Sequence, residues 1–184
     1  MKMKRKPIQK LALTAMLLAM ALTLSIAESF IPFGVPGAKI GLANMVILVS
    51  IHFFGFWTSL AIDVLRVFIV SLVTGTFLGM GFYLSLSGAL LSFFLMYVAT
   101  RWIKALTPVG VSIIGAYSHS LAQIVMAIII YRLMGVSASG ALIYYFPLMA
   151  FISLATGTLN GFLVEYIVGN SYLKRSVEEI NRGM

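Results

Sequence analysis

Between Arg66 and Arg101 the chain runs thirty-four residues without a formal charge, and comparable apolar stretches fill nearly everything from Leu11 to Val168. No water-facing domain carries that much apolar surface. A hydrocarbon core about 30 Å thick takes roughly 20 apolar residues per helical span. With 61% hydrophobic and 10% charged residues and a mean hydropathy of +1.04, little of the chain is left over for anything soluble. The expected fold is all-α: one polytopic membrane bundle of about six transmembrane helices, a single domain over residues 1–184 with the lipid bilayer as its main partner.

Apolar runs and turn residues place the six spans near 8–28, 41–55, 57–74, 83–101, 110–133 and 142–168. Phe54-Gly55-Phe56-Trp57 predicts a very tight turn with aromatic residues at the interface, and Gly75, Gly79 and Gly81 predict another short turn. The connection Phe30–Ile40 holds two prolines and two glycines, which break helix and make it the candidate lid.

The net charge of +8 reports topology. Lys2, Lys4, Arg5, Lys6 and Lys10 precede the first span, Arg101 and Lys104 separate the fourth and fifth, and Lys174, Arg175 and Arg182 follow the last. These alternate to one side, while only Lys39 and Arg132 fall on the other, so the positive-inside rule predicts a plasma-membrane protein with both termini cytoplasmic. The basic start (1–10) and the polar tail (171–184) then meet anionic headgroups, and nucleic acid is not an expected partner. The first run also has the shape of a secretory signal, with Ser25-Ile26-Ala27 before Glu28 as a cleavage site. More membrane follows it, however, so it reads as the first span.

Lipid tails are as apolar as leucine, so spans associate through small residues and a few polar contacts. Ala15 and Ala19 make such a step on the first span; Gly81, Ser85, Gly88 and Ser92 make a stripe on the fourth, and Ser153, Gly157 and Gly161 another on the sixth. Ionisable groups within the bilayer are costly and mark function by default. Asp63 and Arg66, three apart, share a helix face, either as a structural ion pair or as a site where Arg66 meets an anionic or carbonyl-bearing ligand. Gly115, His119 and Gln123 repeat at four-residue steps, as an interhelical hydrogen-bonding face or as part of a site. With Lys39 and Asn44, and with Thr156, Asn160 and Glu165 as further polar points, converging faces would line one polar cavity in an apolar bundle.

Several chemistries are excluded. There is no Gly-Lys-Ser/Thr phosphate loop, and cysteine is absent. His52 and His119 have no metal-ligand spacing, and Asp63 is the only aspartate, so no aspartate-rich motif can hold magnesium and a diphosphate. No catalytic residue, metal or cofactor is expected.

The opening Lys10-Leu-Ala-Leu-Thr-Ala-Met-Leu-Leu-Ala-Met-Ala-Leu resembles the first helix of the substrate-binding S components of energy-coupling-factor transporters. That resemblance implies that Ala15 and Ala19 dock a coupling protein joined to ATPase subunits. Pro36-Gly-Ala-Lys-Ile-Gly-Leu-Ala-Asn44, Asp63-Val-Leu-Arg-Val67, Gly75-Thr-Phe77, Ser85-Leu-Ser-Gly88 and the Gly115 to Gln123 segment resemble the Gx transporter family, also labelled heptaprenyl diphosphate synthase component I. The first label implies a component that binds and translocates a small hydrophobic or amphipathic molecule through Lys39, Asn44, Asp63, Arg66, His119 and Gln123. The second implies a non-catalytic subunit linked to heptaprenyl diphosphate and menaquinone synthesis. Members are also similar to membrane subunits of flavin-based electron transfer.

Overall fold

A computed structural model describes residues 5–31, 39, 41–136, 139–170 and 175. Lys2 and Lys4, most of the 30–40 connection expected to form a lid, and the tail 171–184 apart from Arg175 lie outside the described residues. Five helices follow in order: α1 (Arg5–Ser29), α2 (Asn44–Val73), α3 (Met80–Trp102), α4 (Pro108–Leu133) and α5 (Ser139–Gly169). Each contains a stretch long and apolar enough to cross a membrane, so the chain is a multi-pass, all-α membrane protein. α4 starts cleanly because Thr107 caps it, accepting from the Gly110 N–H at 3.3 Å, with Pro108 in the first turn.

In place of the expected six spans, five helices among the described residues are long and apolar enough to cross a membrane. The predicted second and third spans are one helical interval, α2, in which Gly55 alone leaves helical geometry (φ 74°, ψ −164°). That single residue reverses the chain. Ser50 and Ser59 hydroxyls lie 2.8 Å apart, whereas nine residues of straight helix would separate them by about 13.5 Å. The arm over 44–54 therefore folds back on the arm over 56–73. At 1.5 Å per residue the first arm is only about 16 Å long, roughly half of what a span needs, so it is a short helix packed against the second arm.

The bundle has an apolar core that includes Ile47, Leu48, Ile62 and Phe93, but it also exposes large apolar side chains and buries polar ones. Leu65, Phe68, Leu72, Leu91, Leu121 and Ile129 point outward, while Ser50, Ser59, Ser92, Ser120, Ser153 and Asn160 are buried. α2 sits centrally and touches all four other helices, and among the described residues α1 packs against α2 alone. The small-residue stripes serve packing. A Cβ on Gly157 would stand 2.9 Å from Ile113 Cα, and one on Gly161 2.5 Å from Val109 Cα, so α4 and α5 run antiparallel with their backbones in close approach. Ser120 and Ser153 share a hydrogen bond of 2.6 Å across the same interface.

Candidate functional site

The polar side chains of the central helices gather around the start of α2. Asp63 and Arg66 sit on adjacent turns and pair at 2.5 Å, and Arg66 Nη1 also donates to Ser25 Oγ on α1 at 2.9 Å. One turn beyond Ser25, Glu28 Oε1 accepts the Leu42 backbone N–H at 2.5 Å. On the opposite wall the Lys39 backbone N–H donates to Gln123 Oε1 at 3.1 Å. These two acceptors satisfy non-helical backbone that is packed inside the protein, where water is scarce and an unpaired N–H is costly.

The Lys39 bond also sets the polarity of its neighbours. With Oε1 occupied as acceptor, Gln123 Nε2 is the donor to His119 Nε2 at 2.8 Å. His119 Nε2 therefore accepts, and the ring proton sits on Nδ1, beside the Gly88 backbone but outside hydrogen-bonding geometry. Only glycine fits there: a Cβ on Gly88 would stand 2.8 Å from His119 Cε1. Gly41, at φ 87°, plays a similar part, since a Cβ on it would meet Asn44 Nδ2 at 2.9 Å and His119 Cδ2 at 3.5 Å.

All six sequence-derived site residues, Lys39, Asn44, Asp63, Arg66, His119 and Gln123, thus fall in one neighbourhood. Asn44, Asp63, Arg66, His119 and Gln123 are between 1% and 4% exposed, so little water reaches them. Yet Asn44 Oδ1 and Nδ2, Arg66 Nε, His119 Nδ1 and Glu28 Oε2 have no hydrogen-bonding partner among the described residues. Native interiors leave few such groups unpaired, and here they share one site. Lys39 lies outside the spanning helices. Burial pushes its ammonium down to about 8, with the Glu28 carboxylate opposing that shift and Arg66 adding to it.

Glu28 and Ser25 belong to this cluster and were not among the sequence-derived candidates. Their signal was a lone carboxylate closing an apolar run, which carries weight by the cost of burying charge. Thr156, Asn160 and Glu165 do not contribute to it. The Thr156 hydroxyl is used on the Ile152 carbonyl of its own helix at 2.9 Å, Asn160 lies one residue from the Gly161 contact with Val109 at the far end of α4, and Glu165 is exposed. Ala15 and Ala19 are exposed on α1. Among the described residues no group of three or more His, Cys, Asp or Glu side chains is placed to hold a metal.

The fold and the cluster define a multi-pass helical membrane protein with a charged, buried centre. Residues 17–167 match the family described as heptaprenyl diphosphate synthase component I, and the chain belongs to that family. No curated protein and no solved structure was found to match it.

Proposed function

We propose that this chain is a membrane-embedded binding component that holds a small amphipathic molecule in the Glu28–Arg66–His119 cluster and passes it across the plasma membrane. The supporting observation is the set of five buried polar atoms that have no partner among the described residues. They offer donors (Arg66 Nε, His119 Nδ1, Asn44 Nδ2) and acceptors (Glu28 Oε2, Asn44 Oδ1), so the polar end of the ligand carries both acceptors and donors. Lys39 contributes a cation from the outer connection. In this reading the arms of α2 count as the second and third of six segments, with the basic ends of the chain cytoplasmic. Ala15 and Ala19, exposed on a helix that among the described residues packs against α2 alone, are the docking step for a coupling protein and its ATPases.

A second reading follows from the family description: a non-catalytic membrane subunit that accompanies a separate prenyl diphosphate synthase component. The single aspartate of the chain leaves catalysis to that partner. Gentle extraction followed by mass spectrometry of bound small molecules and co-purifying proteins separates the two. Transport predicts a bound amphipathic molecule, lost in Arg66→Gln, and ATPases lost when Ala15 and Ala19 become leucine. A soluble prenyltransferase retained by both variants, with no small molecule in the parent protein, would establish the second reading instead.

A further inference from the structure

The charges of the buried cluster cancel, and that limits what its ligand can be. Two carboxylates, Glu28 and Asp63, face two cations, Arg66 and Lys39. Burial lowers the Lys39 ammonium to about 8, so at pH 7 it still carries its proton. His119 is neutral, because Nε2 accepts from Gln123 while the ring proton sits on Nδ1. No further charge is available to alter this sum. Between residues 29 and 100 the only formally charged side chains are Lys39, Asp63 and Arg66, and residues 133–164 contain none; Arg132, at the end of α4, is exposed. Resting on the reading of this cluster as a binding site, we propose that its ligand has an uncharged head in which a carbonyl stands beside an N–H, as in an amide, lactam, imide or ureide.

The guanidinium fork that grips a carboxylate or phosphate through two parallel bonds is already occupied. Arg66 Nη2 holds Asp63 at 2.5 Å and Nη1 holds Ser25 Oγ at 2.9 Å. What remains is Nε, a single N–H suited to one carbonyl oxygen. With it stand the donors His119 Nδ1 and Asn44 Nδ2 and the acceptors Glu28 Oε2 and Asn44 Oδ1, all without a partner among the described residues. The turn that starts α2 draws these groups together. Glu28 accepts the Leu42 N–H, the Gly41 carbonyl accepts the Asn44 N–H at 3.0 Å, and Gly41 backs onto both Asn44 Nδ2 and His119 Cδ2. A head with acceptors alone would set its lone pairs against Glu28 Oε2, and one with donors alone would leave Arg66 Nε and His119 Nδ1 unpaired. A phosphate, carboxylate or ammonium would bring an uncompensated charge into a buried site, which costs more again. Of the anionic and carbonyl-bearing ligands that the sequence leaves open for Arg66, the geometry therefore favours the carbonyl.

Four amphiphiles with a common apolar chain and different heads test this on the full-length protein in lipid nanodiscs at pH 7. Dodecanamide is neutral with donor and acceptor, methyl dodecanoate is neutral with acceptors alone, dodecyl phosphate is an anion and dodecylammonium a cation. They are supplied together in equal amounts, and what the protein retains above empty nanodiscs is quantified by mass spectrometry. Dodecanamide should exceed each of the others by about ten-fold, the loss that one unpaired buried group brings. Asp63→Asn leaves the cluster with a net positive charge and should move the preference toward dodecyl phosphate; Lys39→Met leaves it negative and should move the preference toward dodecylammonium. Melting curves establish which variants are folded, and Lys39, outside the spanning helices, supplies an arm that spares the bundle. Preference for either charged compound in the parent protein, equal retention of methyl dodecanoate, or an unchanged preference in every folded variant would overturn the proposal while leaving a binding site in place. Retention of none of the four would overturn the binding site itself, and the proposal with it.

Discussion

Glu28 Oε1 accepts the Leu42 backbone N–H at 2.5 Å, joining the end of α1 to the turn that starts α2. The bond places a carboxylate where the chain would otherwise bury a bare amide, so its removal should be felt in stability. Glu28→Ala is expected to destabilise the protein by about 1–3 kcal/mol. Glu28→Gln keeps an acceptor and should lose less. Unfolding titrations in mixed micelles measure the difference; equal losses would show that charge rather than the backbone bond matters.

Asp63 and Arg66 neutralise one another in a buried setting. Arg66→Gln alone leaves an uncompensated carboxylate and should cost about 3–5 kcal/mol. The double variant Asp63→Asn with Arg66→Gln should recover most of that stability. Ligand retention, scored by mass spectrometry of the extracted protein, should stay lost in both, because neither restores the Arg66 donors.

The Gly55 dihedrals lie in a region essentially confined to glycine, and a Cβ there meets nothing within 4 Å. Gly55→Ala therefore tests backbone strain with no steric contribution, at an expected cost on the order of 1–3 kcal/mol. The fold-back itself is checked by pairing Ser50→Cys with Ser59→Cys. The parent chain has no cysteine, so a disulfide formed under mild oxidant comes from that pair alone, and its failure to form would contradict the hairpin.

Two glycine substitutions should separate packing from binding. Gly88→Ala drives a methyl into the His119 ring, which should break the Gln123 bond, reduce ligand retention and cost about 1–3 kcal/mol. Gly157→Ala presses on the Ile113 backbone and should cost a similar amount while retention per folded molecule stays unchanged.

Lys39 supplies a pH signature. Between about 8 and its ordinary 10.5, the folded chain holds fewer protons at this position than the unfolded chain. Its contribution to stability therefore rises with pH across that window. Binding that uses the ammonium runs the other way and should weaken as pH climbs from 7 through 8 to 9. Lys39→Met should flatten both dependences, and calorimetric or retention measurements over that range provide the check.

The apolar runs by themselves determined that this chain is a helical membrane bundle, because each is too long and too bare of charge to be anything else. The same rarity of charge made Asp63, Arg66 and His119 visible as candidates, since a buried ion or imidazole among leucines has few reasons to be there. Tertiary structure decided what periodicity does not encode. Gly55 turns one helical interval back on itself with no loop residues, so the apolar pattern yields two spans, 41–55 and 57–74, where the first arm has about half the length a span needs. Glu28 reads as the flank of a cleavage motif until α1 lies against α2 and its carboxylate meets Leu42 and faces Arg66. Gly88 reads as one more small packing residue until α3 brings it beneath His119. Spacing along a helix specifies which face a side chain occupies; which faces meet depends on how the helices cross, and that geometry exists only in the assembled bundle.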